Sequence, residues 1–362
     1  MTLPRTPLPR AVAILVGMAA LVIVIAGMSV AAWLIAPLVL ALVIVIGLSP
    51  APRWLRARGV PAWLTTTILV VLVYAVLALI VFVLVVSIAR LAEILPGYSR
   101  QATEFVDHLA RFLARFGVDR QQVHDALNGI DLDRLASFFG SLLDAVTGIG
   151  GGLVFLLSLL LFLSIDAASA DDRFDIVAKD RPYIARSLTG FVRDTRQYLW
   201  VTTIFGFLIA VLDTVGLMFL DIPLPILWGV LSFITNYIPN IGFLLGVAPP
   251  ALLGLLAGGW QLMLGVIVLY AVLNFLLQSV VQPRFVGDAV GLSGTTTFVS
   301  LILWSWVLGP LGAILAVPLT LLAKALLVDV DPRARWVHAL VASGQRLRLD
   351  EEDDGGVRRG GG

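Results

Sequence analysis

An all-α integral membrane fold is predicted, with about eight transmembrane helices, one broken or re-entrant segment and an amphipathic helical extramembrane region. Three observations predict it. Of 362 residues 59% are hydrophobic and 14% charged, against about 45–50% and about 25% in soluble domains, and the mean hydropathy is +0.98. The apolar residues fall in long uncharged runs, the first of which occupies 11–48 without one ionisable side chain. Gly and Pro then interrupt two of the later runs, a pattern tolerated in lipid where the freed backbone is buried in protein or lines a cavity.

A crossing needs about 20 apolar residues at 1.5 Å rise. On that ruler spans are expected near 11–29, 31–48, 62–89, 147–165, 200–220, 224–257, 260–281 and 296–323. Arg5 and Arg10 before the first run imitate a secretory leader. A leader's apolar core is only about 7–15 residues, so 11–48 reads as two spans hinged near Gly27 to Trp33. The stretch 222–257, punctuated by Pro223, Pro225, Pro239, Pro249 and Pro250, is too long for one span and too short for two. It reads as a re-entrant or broken segment followed by a span. The resulting organisation is 1–89 with the first three spans, 90–146 outside the membrane, a transport core over 147–328 with a cytoplasmic loop at 167–199, and a cytoplasmic tail over 329–362. The charged, glycine-rich end of that tail reads as disordered.

Arg and Lys in short loops set orientation. Arg5, Arg10, Arg53, Arg56, Arg58, Arg173, Lys179, Arg181, Arg186, Arg193 and Arg196 fall on one side. With eight spans Lys324, Arg333 and Arg335 join them, so both termini are expected in the cytoplasm of a bacterial inner membrane. In 90–146, Phe105, Leu109, Phe112, Leu113 and Phe116 recur at helical spacing opposite Glu104, His108, Arg111 and Arg115, an amphipathic helix for a lipid surface or a neighbouring subunit. Ile184, Leu188, Phe191, Val192 and Leu199 repeat the pattern beside Arg186, Arg193 and Arg196, which suits the anionic cytoplasmic leaflet.

The net charge of +1 offers no field for nucleic acid, and the absence of Cys removes disulfides and thiolate chemistry. There is no P-loop, HExxH or GxSxG, and the glycines of 148–152 fail the dinucleotide spacing. His108, His124 and His338 are scattered. No enzyme activity, cofactor or metal is expected.

Polar residues inside apolar spans carry the functional signal, because a charge at mid-membrane costs about 2.5–3.5 kcal/mol. Asp213 lies about 12 Å deep, judged from its eight-residue distance to Asp221, with no basic residue in any span to pair with it. It is either a neutral, hydrogen-bonded packing group or a proton carrier. Asn274, Gln278 and Gln282 recur every fourth residue and present three amides on one helix face, either as a hydrophilic path or as interhelical hydrogen bonds. Gly242, Gly246, Gly254 and Gly258 form a small-residue face for close packing. Asn236 to Gly242, and Gly309, Pro310, Gly312 and Pro318, break two distant spans in a similar way, the arrangement that points to a transporter's substrate site. The candidate path comprises Asn236, Pro239, Asn240, Gly242, Asn274, Gln278, Gln282, Pro283, Gly309, Pro310, Gly312 and Pro318, with Asp213 as the candidate for proton coupling.

Asn236, Tyr237, Ile238, Pro239, Asn240, Ile241 and Gly242 resemble the "iPyiGp" signature of the AI-2E family of transporters, also called the PerM family. Val281 to Gly287 is similar to its "lqPkivG" stretch, Gly309 to Pro318 to its "fGi.G..lavP" ending, and Leu161 to Asp166 to the close of its fourth span. Order and spacing agree over nearly the whole chain. Asn240 stands where the family usually has an aromatic residue, Phe243 where Pro is common, and Ser293 with Gly294 where a "hP" pair is common; Asp213 matches none of these patterns. The resemblance implies about eight spans, a homo-oligomer, and export of small molecules such as autoinducer-2. Other members of that family are sodium or lithium/proton antiporters or are linked to cell-envelope factors. Three readings therefore stand: a gradient-driven exporter of a small polar solute, a cation/proton antiporter, and a non-transporting scaffold. The expected partners are membrane lipids and a small-molecule or ion substrate.

Overall fold

The computed structural model describes residues 10–98, 154–167, 170–239, 241–282 and 292–330, with isolated positions between 100 and 152. Among the described residues every regular element is a helix. The amphipathic pattern over 105–116 and the tail beyond 330 lie almost entirely outside them.

Helix α1 (Arg10–Val30) and α2 (Ala32–Leu48) are separated by the single residue Ala31, inside the hinge expected there. Pro50 opens the short basic helix α3 (Pro50–Ala57), where the Arg58 guanidinium lies 3.5 Å over the Trp54 ring. Helix α4 (Ala62–Ile94) is followed by α5 (Val154–Ala167), α6 (Ala170–Asp180) and α7 (Pro182–Phe219). With 38 residues α7 is about 57 Å long, nearly twice the hydrocarbon thickness of about 30 Å. The basic amphipathic stretch and the fifth span are thus one continuous helix. Its Phe191 is buried against protein with Ile46, Leu292, Leu321 and Ala325 rather than lying free on a leaflet.

Beyond α7 the chain folds back on itself repeatedly. Asp221 and Leu224, both at positive φ, turn it into α8 (Pro225–Thr235). Eleven residues span only about 16 Å, about half the thickness of a bilayer's hydrocarbon core. At its end the backbone groups freed at 236–241 find protein partners: Ile238 N donates to the Thr235 carbonyl at 2.9 Å, and the Tyr237 carbonyl accepts from the Tyr198 hydroxyl at 3.1 Å. Helix α9 (Gly242–Asn274) then continues as a π-helical segment, Phe275–Val281.

Gly259, at φ 78° and ψ −170°, splits α9 into two antiparallel arms. The reversal is visible in packing: a Cβ placed on Gly254 would lie 3.4 Å from Val266 and 3.5 Å from Leu262, residues about 12–18 Å away along a straight helix. The boundary between the expected spans 224–257 and 260–281 falls at this turn. The expected single span over 296–323 is a second hairpin instead. In α10 (Gly294–Ile314) Gly309 has φ 69° and ψ −152°, and the chain returns through Pro310 into α11 (Ala316–Leu327). Trp304 Nε1 donates to Thr320 Oγ1 at 3.0 Å across the arms. Val307, Leu308, Leu315 and Leu319 pack together on Ala36, Val39 and Val43 of α2.

The φ/ψ pair at both reversals belongs to glycine alone, and another residue there costs about 1–3 kcal/mol. A Cβ on Gly309 would meet nothing within 4 Å, so Gly309→Ala isolates the backbone cost. Its melting temperature in detergent is expected to fall by several degrees, whereas Gly17→Ala, equally open but helical, is expected to leave it unchanged.

Large apolar side chains face outward along these helices, among them Phe82, Phe207, Phe275 and Trp306. In water they would form aggregating patches; in a bilayer they meet lipid. Among the described residues five helices, including Trp63–Tyr98, Pro182–Phe219 and Gly294–Ile314, are long and apolar enough to cross by length and composition.

Candidate functional site

The turn that ends α8 is tied to its neighbours at the level of Thr202 on α7. Asn236 donates through Nδ2 to the Thr202 carbonyl at 3.1 Å and accepts at Oδ1 from Gln278 Nε2 at 2.9 Å. Gly206 makes this fit possible, because a Cβ there would lie 2.6 Å from Asn236 Nδ2. The Tyr237 hydroxyl shares a 2.7 Å hydrogen bond with Thr203. Gln278 also donates to Asn274 Oδ1 at 3.0 Å, so two of the three striped amides are linked across the end of α9 and the π-helical segment. The π-helical segment carries Gln278, and such segments are frequent at functional sites.

These groups wall a cavity of about 250 Å³ lined by Tyr198, Thr202, Asn236, Ile238, Pro239, Phe243, Gln278 and Gln282. No charged side chain is among them. A second, water-sized cavity of about 10 Å³ adjoins it and shares Asn236 and Phe243; its remaining lining includes Ser232, Thr235, Gly242, Tyr270 and Asn274. Beyond lies Asp213, fully buried at 0% exposure. Its Oδ2 accepts from the Ser232 hydroxyl at 2.6 Å, while Oδ1 and the Tyr270 hydroxyl have no hydrogen-bond partner. A polar track thus leads from Gln282 through Gln278, Asn236 and Ser232 to Asp213.

Of the candidate path residues, Asn236, Pro239, Gln278 and Gln282 meet in the larger cavity, and Asn236, Gly242 and Asn274 in the smaller one. Gly309, Pro310, Gly312 and Pro318 build the second hairpin and line neither. Val317, beside Pro318, packs in the same cluster as Tyr198, behind the cavity wall. Asn240 and Pro283 lie outside the described residues. Tyr198, Thr202, Ser232 and Tyr270 were not anticipated. Tyr270 extends the stripe of Asn274, Gln278 and Gln282 by one step of four, a signal that an aromatic residue in an apolar run conceals.

The sequence model described as AI-2E family transporter matches residues 18–330, a range that contains both hairpins and both cavities. The chain belongs to the AI-2E transporter family. An AI-2E relative, the AI-2 transport protein TqsA of Escherichia coli strain K12, is 30% identical over 319 residues, 86% of this chain and 90% of that protein. A candidate transport protein of Haemophilus influenzae is 30% identical over 338 residues, 90% of this chain and 95% of that one. The sodium-lithium/proton antiporter of Halobacillus andaensis is 22% identical over 313 residues, covering 79% and 87%. As an AI-2E transporter, the chain is a multi-pass membrane protein of a bacterial family.

Proposed function

We propose that this chain exports a small, uncharged polar solute, of which autoinducer-2 is the leading candidate, driven by an ion gradient. The observation that carries the reading is the 250 Å³ cavity, lined by amide and hydroxyl groups together with Ile238, Pro239 and Phe243. Three amides and Thr202 offer donors and acceptors without a fixed charge, which suits hydroxyl-rich molecules and leaves an ionic solute uncompensated. Membership of the AI-2E family and the printed name of the TqsA relative support the same reading. We assign no enzymatic step and no cofactor to it, and we take the working unit to be a homo-oligomer.

The basic loops lie together at one end. Ile46, close to Arg53, Arg56 and Arg58, clusters with Phe191, flanked by Arg186 and Arg193, and with Ala325, next to Lys324. That end is the cytoplasmic side in our reading, with both termini there. Thr202 is then about 9 Å from Arg196 along α7, so the cavity faces the cytoplasm and Asp213 lies deeper. A second reading, cation/proton antiport, is favoured by one observation, the buried Asp213 carboxyl with a single donor; there Asp213 carries the proton.

The chain has no cysteine, so the solute reading is testable by labelling. Gln282→Cys is expected to react with a membrane-impermeant thiol reagent from the cytoplasmic side, to lose most of its flux on labelling, and to be protected at least several-fold by the solute. Labelling that leaves flux intact contradicts the placement of the path.

A further inference from the structure

We propose that the corner formed by α3, between α2 and α4, is a binding site for an anionic phospholipid, whose phosphodiester headgroup is held by the guanidinium groups of Arg56 and Arg58. The site is separate from the solute cavity and does not depend on which solute that cavity carries.

The case begins with charge. The first acidic residue of the chain is Glu93, so six arginines precede any carboxylate, and Arg53, Arg56 and Arg58 crowd three of them into one turn and a half. Packing does not supply the missing anion. Four acids of the other basic loops are held by cations of their own: Asp166 by Arg173 at 3.2 Å, Asp180 by Arg181 at 3.7 Å, Asp194 by Arg193 at 3.1 Å and Asp329 by Lys324 at 2.8 Å. Among the described residues the side chains of Arg56 and Arg58 make no ion pair or hydrogen bond, and both are exposed.

The local structure turns these charges into a site. Pro50 opens α3 and Gly59, at φ 85°, closes it: the amides of Arg58 and Val60 donate to the Leu55 carbonyl at 3.1 and 3.3 Å, and that of Gly59 to the Arg56 carbonyl at 2.9 Å. Both arginines therefore stand on a closed turn. The Arg58 guanidinium is stacked on the Trp54 ring, which uses its face and leaves its in-plane N–H donors for phosphate oxygens, which they match in pairs. Exposed indoles set the depth. Trp54 is 56% exposed and Trp63, in the first turn of α4, is 70% exposed. Trp200 is half exposed, and its Nε1 donates at 3.1 Å to the carbonyl of Gly47, three residues before α3 begins. Indoles around a basic turn suit the headgroup level of a bilayer, where the ring meets acyl chain and the polar edge stays wet. An acidic peptide or a free phosphate would satisfy the arginines and leave these rings in water. A phospholipid satisfies both, its phosphate on Arg56 and Arg58 and its chains over the indoles.

The test uses the purified full-length protein in a neutral detergent, titrated with phosphatidylglycerol or phosphatidylcholine and melted. Phosphatidylglycerol is expected to raise the melting temperature saturably by about 3–5 °C, more at low salt than at high, and phosphatidylcholine to leave it unchanged. The double variant Arg56→Gln with Arg58→Gln is expected to need about tenfold more phosphatidylglycerol for the same rise. Lys179→Gln with Arg186→Gln removes the same charge from α6 and α7 and is expected to keep the wild-type titration, which separates a site from the general charge of this end. In vesicles, the tryptophan emission lost in Trp54→Phe reports the same place: brominated phosphatidylglycerol is expected to quench it more than brominated phosphatidylcholine in the wild type, and no more in the arginine double variant. Equal rises with the two lipids, equal losses in the two double variants, or a rise reproduced by inorganic phosphate overturn the proposal. None of these readouts involves flux, so failure here leaves the solute reading standing, and absence of flux leaves this site standing.

Discussion

Asn236→Leu is expected to reduce solute flux by about ten- to a hundredfold while leaving a folded protein. The side chain holds three elements at one point: it donates to the Thr202 carbonyl of α7, accepts from Gln278 of the π-helical segment, and stands on the turn that closes α8. Leucine preserves the volume against Gly206 but removes both polar contacts. Gln278 keeps its bond to Asn274 and Thr202's carbonyl keeps its helical partner, so the stability lost is about 1–3 kcal/mol. The larger consequence falls on the cavity, where an amide that serves a polar solute is replaced by a methyl surface. Losing one such contact in the transport transition state is worth about 1.4–2.8 kcal/mol, or one to two powers of ten. Flux per folded protein, normalised by the monodisperse fraction, checks it; unchanged flux would place the solute elsewhere.

Gly242→Val is expected to prevent folding. A Cβ at Gly242 would overlap the backbone carbonyl of Thr235, because the first turn of α9 crosses the end of α8 at backbone contact. That carbonyl is held by the Ile238 amide at 2.9 Å, so neither strand of the turn yields cheaply, and overpacking of this kind costs about 3 kcal/mol or more. Gly246→Ala is the milder comparison. Its Cβ would sit 3.0 Å from the Thr235 hydroxyl, a side-chain atom that can rotate. Monodisperse yield and melting temperature should therefore fall steeply for the first and slightly for the second.

The membrane class, the interruption near Gly259 and much of the cavity were legible because each rests on a local signal. Uncharged runs mark helices that lipid can solvate, and the four-residue spacing of Asn274 and Gln278 survives folding as a direct hydrogen bond. The prolines of 223–250 marked an interruption that the structure shows as the short helix α8, the turn after it and the start of α9. The hairpin at Gly309 was read as a break in one span, since a glycine before proline in an apolar run looks the same whether the helix bends or reverses. Only the packing of Trp304 against Thr320 decides between them. Ser232 and Tyr270 were missed for a related reason. A lone hydroxyl in an apolar segment acquires meaning from the side chain opposite, here Asp213, and that juxtaposition is tertiary.

The central claim is that the cavity around Asn236, Gln278 and Gln282 carries an uncharged polar solute across the membrane. Reconstituting the purified protein in proteoliposomes loaded with autoinducer-2, under an imposed pH or sodium gradient, and comparing wild type with the cavity-filling variant Phe243→Trp tests it most directly. The account predicts saturable efflux for the wild type and at least a tenfold reduction for Phe243→Trp at equal reconstitution. Efflux no faster than from protein-free liposomes, or the same rate in both proteins, would contradict it.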